Sequence, residues 1–355
     1  MDIMADRELT QSAELRSIEF PDDFRAGASN AVATCLKIQP DEKVTVITDR
    51  NCQTIAASMA AELDRVGCAW DGFILEEHAE RPVREMPAAV LEDMESSQVS
   101  IFAVQVQPNE LRSRMQMTDV VNRRHMRHAH MVNITAEVMT QGMRADFHEI
   151  DRLSQAVLDL VREATYVRAT TAAGTDIHAE LSKKYRWFKT SGIISAEKWG
   201  NLPGGECFTA PEEVNGVFVV DGVVGDFLCA RYGILRATPL TINIEANRIT
   251  RVVCADKALE RDFWAYTHTD ENSDRVGEFA IGTNIGVERV IGNILQDEKF
   301  PGVHIAFGDP YGAHTGAQWK SSTHIDVVGL GFNIWLGDAA GEQQIMRDGA
   351  FLIQT

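Results

Sequence analysis

Apolar positions recur along the chain at two periods, and the balance between them changes about halfway. Phe24, Ala28, Ala31, Val32 and Leu36 return at helical spacing across residues 22–36. The β-branched run at 43–48 (Lys-Val-Thr-Val-Ile-Thr) reads as a buried strand. An Ala-rich amphipathic helix at 55–66, stopped by Gly67, and a second strand at 70–75 follow. Helices at 87–94 and 110–117 flank a third strand at 99–106, and a short strand at 132–135 leads into a helix at 136–143. Residues 146–165 form a long amphipathic helix, with Ile150, Leu153, Val157, Leu160 and Val161 on one stripe. Strand and helix in alternation predict a parallel sheet covered by helices.

From Tyr166 onward short strands at 216–221, 240–245 and 248–255 are separated by Gly- and Asn-containing turns. Apolar runs at 303–307 and 325–330 add two more, and one helix is expected at 287–295. The fold class is therefore α/β: an N-terminal parallel-sheet α/β domain followed by a β-rich α+β domain. The divisions fall at 1–20 (an irregular N-terminal arm), 21–165 and 166–355, with the 146–165 helix as the bridge. A length of 355 residues supports two cores.

Composition adds exclusions. A net charge of −18 argues against nucleic acid or an anionic membrane as partner, and suits a site that collects cations. No apolar run approaches the ~18 residues of a membrane-spanning helix. The first residues are polar, without a signal core, and the six cysteines are scattered with no CxxC pair. These features predict a cytoplasmic protein with reduced thiols.

A nucleotide site is not supported: the loop after the first strand, Asp49-Arg50-Asn51-Cys52, holds neither G-x-G-x-x-G nor G-x-x-x-x-G-K. The histidine-rich stretch from His125 to His130 reads first as a surface turn or a rim, the alternative being a metal site on His128 and His130, which share a face if the segment is a strand. Stronger chemistry lies near the C-terminus. His324 and Asp326 stand two apart in an apolar run, so in a strand they point the same way. With His304 they form two imidazoles and a carboxylate, donors suited to zinc, cobalt, manganese or iron. Glu206 and Glu278 are isolated acids between glycines and apolar residues, where a carboxylate is costly unless paired or metal-bound. All five together would suffice for two divalent ions.

These motifs resemble the aminopeptidase T and aminopeptidase S family of thermophilic metallo-aminopeptidases. The resemblance runs through residues 133–139 with Gly142-Met143, Gly174-Thr175-Asp176 and residues 201–211. It continues through Gly277-Glu278 with residues 282–284, residues 304–308 with Tyr311, and His324-Ile325-Asp326. It implies metal ligands at Glu206, Glu278, His304, His324 and Asp326 and an active-site tyrosine at Tyr311; in the hydrolysis expected of such a centre one of the two glutamates, Glu206 by preference, carries the proton. It further implies two divalent ions per subunit (zinc, cobalt or manganese), a peptide or small amide substrate attacked by acidified water, and a homodimer. Cys207 departs from the pattern and reads as core, while His314 and Trp319 have no counterpart in it. The 2,5-dihydroxypyridine ring-cleaving dioxygenases resemble the same family and imply a single iron(II) on two histidines and one aspartate. Retention of both glutamates favours the hydrolase.

Overall fold

The computed structural model describes residues 10–353. The chain divides into two compact units, residues 1–147 with 192–204, and residues 148–191 with 205–355.

The first unit carries a parallel sheet in the order Ala69–Ile74, Lys43–Thr48, Val99–Val104, Arg127–Val132, Gly200–Asn201. Val44, Val46, Ile47, Val99, Ile101 and Ala103 are all buried, as expected of strands covered on both faces. Among its helices, Gln53–Val66 ends at Gly67 in the left-handed region, which glycine enters without a Cβ penalty. Phe24–Ser29 runs on as a π-helix, Asn30–Cys35. Of the expected arm, residues 1–9 lie outside the described residues. Its remainder is not an arm: Ser12–Ser17 is helical, Leu15 is fully buried, and Ser12 Oγ accepts from the Gly72 N–H at 2.9 Å.

The fourth strand lies earlier than expected, at Arg127–Val132, and Asn133 turns out of it with φ +59°. This corrects the reading of the histidines as a surface turn. His128 is fully buried against Ser100 Oγ (2.8 Å), and His130 stacks on Phe102 at 5.4 Å, with the Trp199 ring beside both. Burial pushes the His128 pKa down to about 3, so this imidazole is a neutral interior group.

The second unit holds two antiparallel sheets. The eight-stranded sheet runs from Arg248–Cys254 through Leu240–Glu245, Glu213–Val220, Asp176–Glu180, Tyr166–Thr171 and Phe332–Asp338 to Gly341–Arg347 and Ala350–Phe351. The five-stranded sheet has the order His324–Val328, Gly302–Gly308, Val276–Gly282, Glu206–Thr209, Phe188–Thr190. Phe218, Ile242, Phe332 and Ile334 from the first sheet share one apolar core with Phe279, Ile281, Ile305, Phe307, Ile325 and Val327 from the second.

Leu153, Val157, Leu158 and Val161 of helix Phe147–Glu163 join that same core. The division therefore falls at 147/148 rather than at Thr165, and residues 192–204 return to the first unit. Of the helix expected at 287–295, the part up to Asn293 is a loop and only the short turn Ile294–Asp297 is helical. Asp297 accepts from the N–H groups of Ile291, Gly292 and Asn293, and Gly292 is left-handed. A helix not expected from periodicity, Lys257–Tyr266, is capped by Asp256, whose carboxylate accepts from Ala258 and Leu259 N–H.

Candidate metal centre

Strand alternation divides the five-stranded sheet into two chemical faces. Cys207, Phe279, Ile281, Val303, Ile305, Phe307, Ile325 and Val327 point into the core. The intervening positions carry Glu206, Glu278, His304, His324 and Asp326. All five residues expected from the sequence thus occupy one face of four adjacent strands.

Small residues at the positions between them make room. Ala306 pairs with Glu278 on one side and Asp326 on the other, so the two carboxylates flank a methyl group. Ala280 sits beside His304, and Gly308 beside His324. A bulge between Val276 and Glu278 resets the register at the ligand position, a device common beside active sites. Gly308 has φ +113°, and a Cβ there would lie 2.1 Å from Thr323 O. Only glycine allows the two strands to meet there.

The donor atoms converge without bonding one another well. His324 Nε2 lies 3.4 Å from Asp326 Oδ1 and 3.7 Å from Glu278 Oε2. His304 Nε2 is buried and makes no hydrogen bond; Glu206 Oε2 and Glu278 Oε1 are each 3.5 Å away. Two atoms about 2.1 Å from a shared ion, at tetrahedral or octahedral angles, stand roughly 3.0–3.4 Å apart. The separations suit donors arranged around a cation. His324 Nδ1 lies 2.9 Å from the Asp309 carbonyl, which can only accept. Nδ1 therefore carries a proton, and Nε2 is the nitrogen through which this ring would meet a metal, as ligating histidines require. Three overlapping donor sets occur among the described residues: Glu206, Glu278 and His304; Glu278, His324 and Asp326; Glu298, His304 and Asp326.

Two members of the site were not foreseen, Glu298 and Lys299. Lys299 keeps 2 % of its side chain exposed, and its Nζ donates to Glu206 Oε1 (2.7 Å) and Glu298 Oε1 (2.6 Å). Glu206 Oε1 also accepts from Thr190 Oγ1 at 2.8 Å. The turn that carries both residues crosses directly over Gly282, where a Cβ would meet Phe300 O at 2.1 Å. In the sequence, Asp297-Glu298-Lys299 looks like a solvated charged turn. The signal available was its place just ahead of the His304 strand.

The electrostatics follow from four carboxylates facing one lysine. Burial opposes charge on Lys299, but Glu206 and Glu298 raise its pKa above the ordinary value. Burial would raise Glu206, yet Lys299 and His304 hold it below the usual range. Glu298 is pushed up to about 8, chiefly by burial; Lys299 opposes the rise, but Asp326 and Glu206 add to it. Burial disfavours the His324 imidazolium, but Asp326 and Glu278 raise it to about 10; His304 is raised on the same grounds. This face calls for positive charge beyond what Lys299 supplies, and the donor set fits a divalent cation.

Tyr311 stands at the rim with its ring 4.2 Å from that of His324, its backbone left-handed at φ +48°. It leaves 44 % of its surface open, yet desolvation and the negative field of Asp326, Glu278, Glu298 and Glu206 raise its pKa well above ordinary. It is a phenol here, hence a donor. Cys207 lies on the core face, with Sγ 3.1 Å from the Ser154 carbonyl. His314 packs on Phe188, and Trp319 Nε1 donates to Gly308 O.

A buried centre of carboxylates and imidazoles on a sheet face defines a candidate metalloenzyme. Residues 124–351 match the family described as Thermophilic metalloprotease (M29), and the chain belongs to that family. It is thereby grouped with metallopeptidases, which use divalent metal. Its fold is that of wild-type AmpT from Thermus thermophilus: TM-score 0.68, 17 % identity, 93 % of this chain and 99 % of that one covered. It is also similar to 2,5-dihydroxypyridine dioxygenase from Pseudomonas putida KT2440: TM-score 0.63, 16 % identity, 97 % and 98 % covered. No curated protein sequence matches the chain. Among the described residues no helix is long and apolar enough to cross a membrane.

Proposed function

We propose that this protein is a metal-dependent aminopeptidase, with Glu206, Glu278, His304, His324 and Asp326 building the metal centre. The observation that carries the reading is the convergence of Glu278, His324 and Asp326 beside the unbonded Nε2 of His304. When bound, a divalent ion supplies a Lewis acid for a scissile carbonyl and lowers the pKa of water towards neutrality. The remaining work belongs to side chains. Tyr311, held as a phenol, donates to the oxygen on which negative charge develops. Proton transfer was expected of Glu206, but Lys299 holds that carboxylate low, whereas Glu298 is held near 8. A proton carrier works best with a pKa near the operating pH, which favours Glu298 for taking a proton from water and giving it to the leaving amine. The surplus of carboxylates favours a substrate whose α-amine is free and cationic, and this is the basis for preferring the N-terminus over internal bonds.

The test is hydrolysis of aminoacyl-p-nitroanilides by protein stripped with a chelator and resupplied with zinc, cobalt or manganese. Cleavage should need the metal, and N-acetylation of the substrate should reduce it at least a hundredfold. Metal-loaded protein that cleaves neither form would overturn the reading. His324→Ala should lose both metal and activity.

One observation favours a second reading. With Glu206 tied to Lys299, the donors left over include His304, His324 and Asp326, the composition of a mononuclear iron(II) oxygenase site. Oxygen uptake with iron(II) and a dihydroxypyridine would distinguish it. A homodimer and a cytoplasmic location belong to the aminopeptidase reading, and light scattering in solution tests the first.

A further inference from the structure

An ammonium deep in a metal centre is costly unless it does the job of a cation. Lys299 bonds Glu206 and Glu298 together, and each of these acids belongs to a different donor set. The third set, Glu278, His324 and Asp326, contains neither acid, and among the described residues its carboxylates lie beside the imidazoles of His304 and His324 rather than a lysine or arginine. A lysine ammonium has three donors and no lone pair, so it cannot join a coordination sphere. An ion drawing on Glu206 Oε1 or Glu298 Oε1 would have to displace it.

The lysine is also fixed from behind. Its N–H donates to Gln296 O (2.8 Å), and its carbonyl accepts from Asn284 N–H (3.0 Å). Asp297 ties the preceding loop through three backbone N–H groups, and the turn lies against bare Gly282. Backbone and head group are thus both held inside the site.

We propose that the centre takes one divalent ion, on Glu278, His324 and Asp326, and that the Lys299 ammonium is the built-in second cation between Glu206 and Glu298. This replaces the pair of ions expected from the sequence. It rests on the reading of this face as a metal centre and is independent of the bond cleaved.

Full-length protein is saturated with manganese(II), freed of excess, and analysed for metal per chain and by electron paramagnetic resonance. One ion per chain and the six-line signal of an isolated manganese are expected. Lys299→Gln, which frees both carboxylates, should take up a second ion and give an exchange-coupled spectrum; Lys299→Arg should stay at one. Two ions in the unaltered protein, no retained ion, or a folded Lys299→Gln that still holds one would each overturn the proposal. Should Lys299→Gln fail to fold, the count and spectrum of the unaltered protein decide alone. Two ions with hydrolysis would sink this inference and leave the aminopeptidase standing; one ion without hydrolysis would do the reverse.

Discussion

Metal affinity should depend on pH far into the alkaline range, and the slope follows from His324. Its Nδ1 proton is committed to the Asp309 carbonyl, so a metal must take the Nε2 lone pair. In the metal-free protein that nitrogen carries a proton with a pKa of about 10, because Asp326 and Glu278 outweigh the cost of burial. Below that value every ion bound must expel the proton, and apparent affinity falls about tenfold per pH unit. Between pH 7.5 and 9.5 the affinity should therefore rise roughly a hundredfold, or about 2.7 kcal/mol. His304, raised in the same direction, steepens the slope wherever it is also protonated. A histidine near its ordinary pKa of about 6.5 would give a flat profile over this interval. Competition with a chelator of known affinity gives the slope, using manganese(II) to limit hydrolysis of the ion. Calorimetry in two buffers of different ionisation enthalpy counts the protons released. A flat profile with no proton release would refute the assignment of His324 as a ligand that binds through Nε2.

Tyr311→Phe should leave metal affinity unchanged while kcat falls by roughly a hundredfold or more, as expected for loss of one oxyanion donor. Gly308→Ala should cost on the order of 3 kcal/mol and weaken metal binding, since the strand carrying His324 must move off Thr323; urea unfolding and metal titration read the two effects. Asp297→Ala leaves three backbone N–H groups without their charged acceptor and should destabilise by roughly 2–4 kcal/mol, seen as a lowered urea midpoint. The metal-free protein should lose stability as pH rises from about 6.5 through 10. The raised His324 pKa stabilises the fold only while the imidazole is protonated, and thermal unfolding across that range checks the sign.

The parallel sheet was legible because its strands are continuous apolar runs and its helices keep a clean 3.6 period. The five donors were legible because a strand's period of two fixes which residues share a face: His324 with Asp326 needs nothing beyond the local sequence. Their meeting across four strands depends on register, which no single segment states. Ala306, Ala280 and Gly308 look like filler until pairing sets them between the ligands. Asp297-Glu298-Lys299 was hidden for the opposite reason, since charged triplets are usually solvated, and only the path of the turn over Gly282 buries this one. The 287–293 loop shows the same limit: its apolar spacing imitates a helix, but Gly292 and the Asp297 carboxylate hold it in another conformation. The setting of His128 depends on Ser100 and Trp199, the latter some seventy residues away and brought in by a two-residue strand, Gly200–Asn201.

The central claim is that this sheet face holds a catalytic divalent cation. An anomalous difference map, recorded at the absorption edge of zinc or manganese from crystals grown with that metal, tests it most directly. A single peak within reach of Glu278, His324 and Asp326, with Lys299 still between Glu206 and Glu298, is the predicted result. No peak among these residues in metal-saturated crystals would contradict it.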